Sequence, residues 1–143
     1  MNIVKNKIII LFFLYLITPI LLNSTSIYAS QLSIVNAGLG SDVQNRTLIG
    51  ESDIFVEGGI VFFFTKVVGG ENGDTIYHVW IQDEIIKAEV PLAVGGPIWR
   101  TWSRKNLYPN AMGNWRVEAR SSLGEVIDSR SFKCILPGTR TRQ

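Results

Sequence analysis

Four tryptophans, one histidine and one cysteine carry most of the specific chemistry open to this chain. The run Trp99-Arg100-Thr101-Trp102-Ser103 sets two indoles three residues apart with an arginine between them, and Trp115-Arg116-Val117 repeats the Trp-Arg pair. Indole faces and guanidinium planes stack, each such contact contributing about 0.5–2 kcal/mol. A set of this kind can hold a sheet together or present a binding face, but it holds no nucleophile beside a base. His78 and Trp80 are two residues apart, as are Arg100 and Trp102, so in extended strands each pair lies on one face. If the two strands are neighbours, imidazole, indole and guanidinium form one patch with further cations at its margin. The candidate ligand-binding residues are therefore His78, Trp80, Arg100, Trp102, Arg104, Lys105 and Arg116. Stacking and charge-assisted hydrogen bonds would suit them to a sugar ring, a carboxylate or a polymer. The plainer reading of the same residues is a packing cluster at a sheet edge. Trp99 alternates to the opposite face and Trp115 stands with Val117 and Ala119, so both read as core anchors. Arg116, Glu118 and Arg120 share the remaining face, as a solvated ion ladder or an extension of the basic patch.

Other chemistries lack parts. One histidine and one cysteine cannot furnish a structural zinc set, and Asp42, Glu51 and Asp53 lack the spacing of an EF-hand loop. His78 has no Gly-x-Ser-x-Gly elbow to serve. Asp83 and Glu84 sit in a predicted turn, whereas a two-carboxylate hydrolase needs acids across a cleft. Gly38-Leu39-Gly40 lacks the third glycine of a dinucleotide loop. No catalytic residue, metal site or cofactor is assigned, and a non-enzymatic protein is the expectation. A small hydrolase built on His78 or the acidic stretch 40–58 is one alternative. A structural envelope component that self-associates through an exposed strand is the other. A lone cysteine forms no intramolecular disulfide, and Cys134 alternates with Phe132 and Leu136, which points to a buried apolar role.

Residues 1–29 read as an export signal helix. Lys5 and Lys7 precede an uncharged apolar stretch, Ile8 to Leu22, and a polar patch leads to a small residue, Ala29, at the expected cleavage point. The stretch is shorter than a membrane span and contains Pro19. An uncleaved anchor formed by residues 8–22 is the alternative, and would be the only membrane attachment. The expected location is periplasmic or extracellular. Lys5 and Lys7 also account for the whole formal charge of +2, so residues 30–143 are balanced and give no argument for nucleic acid. Their charge is uneven, however. Residues 30–97 hold three basic groups against nine acids, and residues 98–143 hold nine against three. In a one-domain protein the halves are expected to interleave and neutralise each other. On separate faces, the basic one would attract an anionic partner.

These side chains must be positioned by strands. Apolar periodicity after the leader is two, with Gly and Pro clusters at short intervals. The pattern predicts strands at 32–39, 59–67, 74–81, 85–92, 97–103, 114–120 and 125–135. Gly69-Gly70 and Asn72-Gly73-Asp74 can close a hairpin, and Gln82-Asp83-Glu84 and Ser121 to Gly124 read as tight reversals. Residues 40–58 read as a long connection with a short edge strand. About seven strands in one domain, residues 30–137, point to an all-β, antiparallel, immunoglobulin-like β-sandwich. A small β-barrel is the alternative. Residues 138–143 form a basic tail.

From His78 onward the signature residues resemble an uncharacterised bacterial family, domain of unknown function 2914. They are His78-Val79-Trp80, Val90-Pro91-Leu92, Trp99-Arg100-Thr101-Trp102-Ser103 with Lys105, Gly113-Asn114-Trp115-Arg116-Val117, Gly124 and Phe132. The resemblance implies a small β-rich module behind a membrane segment or export signal, and no activity. The expected partner is a cell-envelope polysaccharide, another anionic ligand or a protein.

Overall fold

The computed structural model describes residues 32–139, which form ten strands and no helix. These are β1 (Ser33–Gly40), β2 (Asp42–Gln44), β3 (Thr47–Ile49), β4 (Ile54–Val56), β5 (Ile60–Val68), β6 (Asp74–Gln82), β7 (Ile85–Val94), β8 (Ile98–Asn106), β9 (Gly113–Ser121) and β10 (Val126–Ile135). The seven long strands are those predicted from period-two alternation, with ends shifted by a few residues. The expected leader lies outside the described residues, as do the last four residues of the tail. Among the described residues no helix is long and apolar enough to cross a membrane.

Two sheets pack face to face. One has the order β1-β5-β8, the other β4-β10-β9-β6-β7, and β2-β3 is a separate hairpin. Neither sheet closes on itself, so the architecture is a sandwich and not the alternative barrel. Pairing is antiparallel except where β4 runs parallel to β10. The segment 69–74 does not close a hairpin as expected. Both edges of β5 are already taken by β1 and β8, so the chain crosses instead to the five-stranded sheet, where β6 pairs with β7 and β9. Gly95-Gly96-Pro97 carries it back from β7 to β8. Asp83 and Glu84 form the tight β6–β7 turn, both at positive φ.

The core fills the gap between the sheets. Val61, Phe63 and Val67 of β5 face Ile76 and Trp80 of β6, Trp115, Val117 and Ala119 of β9, and Phe132 and Cys134 of β10. Aromatic contacts bind the elements together. Trp80 meets Phe63 and Phe132 edge-on at 6.5 and 6.3 Å, and Trp115 stacks on Phe132 at 5.7 Å. Trp115 also satisfies its indole N–H on the Ala111 carbonyl at 2.7 Å. Trp99 packs against the smaller cluster of Val67, Ile76 and Val94. Trp115 is the buried core anchor expected, Trp99 packs on the core while only partly buried, and Cys134 is fully buried. Burial raises the pKa of its thiol, with the Glu57 charge adding to the effect, so it stays protonated and unreactive.

The 40–58 connection contributes more than an edge strand. β4 brings Phe55 into the core, 5.4 Å from Phe132. The β2-β3 hairpin folds over the outer face of the three-stranded sheet, with Leu48 above Gly38 and Gly40. A Cβ at Gly40 would lie 2.5 Å from the Ile49 carbonyl oxygen and 2.8 Å from the Leu48 side chain. Only a residue without a side chain lets the hairpin come this close.

Candidate functional site

β8 divides the Trp-Arg run between the inside and the outside of the sandwich. Trp99, Thr101 and Ser103 take the inward parity, while Arg100, Trp102 and Arg104 take the outward one. Ser103 therefore faces β6 across the core. Its Oγ lies 3.1 Å from the Trp80 indole nitrogen and 2.9 Å from His78 Nδ1, and His78 Nε2 lies 3.2 Å from Thr65 Oγ1. The donor inventory sets the direction of this chain. Trp80 N–H can only donate to Ser103 Oγ, and the Thr101 carbonyl can only accept from Thr65 Oγ1, so the Thr65 hydroxyl has no hydrogen left for His78 Nε2 and Ser103 donates to Nδ1 of the neutral ring. The imidazole is then protonated at Nε2 and donates to Thr65, whose hydroxyl reaches the Thr101 carbonyl at 3.4 Å.

His78 and Trp80 are fully buried. Among the described residues no buried side-chain polar atom is without a partner. Burial lowers the His78 pKa to about 3, because a charged ring here would lose its hydration. Ser103 and His78 are thus at nucleophile–base distance but poorly suited to that chemistry. An effective general base has a pKa near the working pH, and the far ring nitrogen meets a threonine where a triad would have a carboxylate.

The outward residues of β8 pair with the outward residues of β5. Phe62 is opposite Arg104, Phe64 opposite Trp102, and Lys66 opposite Arg100. Trp102 lies nearly parallel to Phe64, with ring centroids 6.4 Å apart and planes inclined by 13°. The indole is 37% exposed. Arg100 and Arg104 flank it along the edge of the sheet, and neither makes an ion pair among the described residues. Beside them a cavity of about 440 Å³ is lined by Phe62, Val90, Trp102, Ser103 and Arg104.

The seven residues proposed from sequence as one patch are therefore distributed over four places. His78 and Trp80 are interior, because β6 and β8 belong to opposite sheets and are not neighbours. Arg100, Trp102 and Arg104 share an outer face. Lys105, opposite Val61, has the inward parity and is half-buried near the end of β8. Arg116 lies on the outer face of the other sheet, where it bonds Glu84 at 2.9 Å and Glu118 at 2.8 Å. Arg120 grips the second Glu118 oxygen at 2.6 Å, so an ion ladder forms there, although its central Glu118 is buried and not solvated as expected. Burial raises the Glu118 pKa, but the hydrogen bonds from Arg120 and Arg116 outweigh it and leave the carboxyl below its usual range. The Arg116 hydrogen bond likewise lowers the pKa of Glu84. A larger cavity of about 770 Å³ at that end mixes Asp53, Asp83 and Glu84 with Arg116 and Lys133, and offers no field of one sign.

Phe62, Phe64 and Lys66 escaped the sequence reading. Their signal was present: the odd and even positions of β5 are both largely apolar, so this strand is covered on both faces rather than solvated on one.

The fold and this surface define an all-β sandwich domain with an aromatic and cationic outer face. Residues 73–134 match the family model described as "Protein of unknown function (DUF2914)". The residues quoted above for the resemblance all lie inside that segment. No curated protein matches the chain. Among solved structures, the Pseudomonas fluorescens alkylpurine DNA glycosylase AlkC bound to DNA containing an abasic site analog is similar, with a TM-score of 0.51 at 8% identity. The match covers 73% of this chain and 30% of that chain. The likeness is one of fold.

Proposed function

We propose that this chain is an exported, non-catalytic binding module of the cell envelope, whose outer β5–β8 face holds an acidic polysaccharide. The carrying observation is the half-exposed Trp102 stacked on Phe64, flanked by Arg100 and Arg104, which make no ion pair among the described residues. A pyranose ring packs on the indole, and the guanidinium groups pair with carboxylates or esters on neighbouring rings. Four residues of extended strand separate the two arginines, a span of about 13 Å, which suits a polymer better than a single sugar. The interior placement of His78, with both ring nitrogens engaged, favours this reading over a hydrolase.

The self-association reading rests on edge strands with exposed apolar side chains, Ile85 and Ile86 on β7, and Ile98, 62% exposed, on β8. Arg100, Arg104 and Lys105 on that strand oppose it, because charges on an edge strand discourage pairing with a copy.

Calorimetric titration of the full chain with uronic-acid-containing, sulfated and neutral polysaccharides tests the proposal. Acidic polymers should bind with salt-sensitive affinity, and Trp102→Ala and Arg100→Ala should each weaken binding about tenfold. Both variants should remain folded, and the Arg100→Ala midpoint should be no lower than wild type, since Arg100 lies opposite Lys66 and makes no ion pair among the described residues. Wild-type protein that binds none of the acidic polymers would end the proposal.

A further inference from the structure

The β2-β3 hairpin roofs a second, smaller cavity on the same outer face, about 260 Å³ in volume. Its walls bring together Arg46 from the hairpin tip, Lys66 from β5 and Arg100 from β8, with Asn36, Thr47 and one acid, Glu51. Three features of this cavity go unexplained by folding alone. First, Lys66 and Arg100 are direct cross-strand partners on one face, and like charges in that relation are destabilising. Second, none of the three cations makes an ion pair among the described residues, although Glu51 shares the cavity. Third, Arg46 occupies the second position of a two-residue hairpin turn at φ 61°, after Asn45 at φ 49°. Glycine is the residue that such a position favours, and an arginine there carries backbone strain. Its guanidinium is steered by the Trp99 ring, 5.7 Å from the ring centroid.

We infer that this cavity binds a tetrahedral oxyanion, a phosphate or sulfate group borne by the ligand. The inference deepens the polysaccharide reading by naming the ester that the face selects. Cations approach from the roof and from two strands of the floor, which matches an anion with three or more oxygens spread in space better than a planar carboxylate with two. The bound charge removes the repulsion between Lys66 and Arg100. Glu51 sits on the far wall, with an oxygen 3.7 Å from where a Gly38 Cβ would stand. There it repels a bare anion and can accept a hydrogen bond from a hydroxyl beside the ester.

The test is an amide NMR titration of the full chain at constant ionic strength with inorganic phosphate, sulfate and glucuronate. Phosphate and sulfate should give saturable shifts at Thr47, Lys66 and Arg100, with glucuronate about tenfold weaker. Lys66→Gln and Arg46→Gln should each weaken phosphate binding about tenfold, and Glu51→Gln should strengthen it. In phosphate-free, low-salt buffer Lys66→Gln should also raise the thermal midpoint, a readout independent of any ligand. Absence of saturable shifts with both tetrahedral anions overturns the inference, as does equal binding of glucuronate or phosphate shifts unchanged in Lys66→Gln. A polymer free of phosphate and sulfate that binds at Trp102 while phosphate leaves the cavity unmoved would sink the inference alone. Phosphate binding without any polymer at Trp102 would sink the polysaccharide reading alone.

Discussion

Trp80→Ala will cost about 3–5 kcal/mol of folding stability, and Ser103→Ala, which removes a single oxygen, will approach it. Trp80 is fully buried at the centre of the sandwich, in contact with Phe63 and Phe132. Truncation leaves a cavity that two hydrogen-bonded sheets cannot collapse to fill. Ser103 matters for a different reason. Its hydroxyl serves Trp80 and His78 at once, so its loss strands an indole N–H and an imidazole nitrogen in an apolar interior. Each stranded group costs about 1–3 kcal/mol, so a loss of roughly 2–6 kcal/mol is expected. Domains of this kind are stable by about 5–15 kcal/mol, so either change leaves little margin. Urea unfolding followed by fluorescence measures both. A Ser103→Ala midpoint equal to wild type would show that the buried network contributes nothing.

The domain should also lose stability steadily as pH falls from about 6.5 toward 3, well before most carboxylates titrate. His78 has a folded pKa of about 3 against 6.5 for the ordinary ring. Between these values the unfolded chain binds a proton that the folded chain refuses, so stability rises with pH across the window. The full contribution is present above pH 6.5 and is lost as pH approaches 3, at about 1.4 kcal/mol per pH unit. Glu84 and Glu118, both held below the usual carboxylate range, act in the same direction but only below about their ordinary 4.5. The distinguishing interval is therefore pH 5 to 6.5, where the histidine alone titrates. Equilibrium unfolding at half-unit steps measures the slope. A flat profile over that interval would mean that the ring is solvated or charged in the folded state.

Period-two alternation made the seven long strands legible, and within each strand it also sorted the faces correctly. His78 shares a face with Trp80, Arg100 with Trp102, and Arg116 with Glu118 and Arg120, as the spacing required. Which strands are neighbours was not legible. Glycines at 69, 70 and 73 fit a hairpin as well as they fit a crossing between sheets, and only the prior claim of β1 and β8 on β5 decides between them. That single ambiguity turned a supposed surface patch into two separate structures, a buried polar chain and an exposed face. Of β2, β3 and β4 only a single short edge strand was legible within residues 40–58, because three residues are too few to show alternation. Arg46 was missed as well, although it closes the roof of the smaller cavity. The charge imbalance along the chain was expected to neutralise itself. It does so at Arg116 and Glu84, but not at Lys66 and Arg100, which face each other.

β8 is proposed to work in two directions, inward as a structural donor and acceptor set and outward as a binding face. The indole N–H resonances of Trp80 and Trp102 report these separately. In a titration of the full chain with an acidic polysaccharide, the Trp102 signal should shift and saturate while the Trp80 signal, locked on Ser103, stays in place. A shift at Trp80 with none at Trp102, or no movement of either across the acidic polymers, would contradict it.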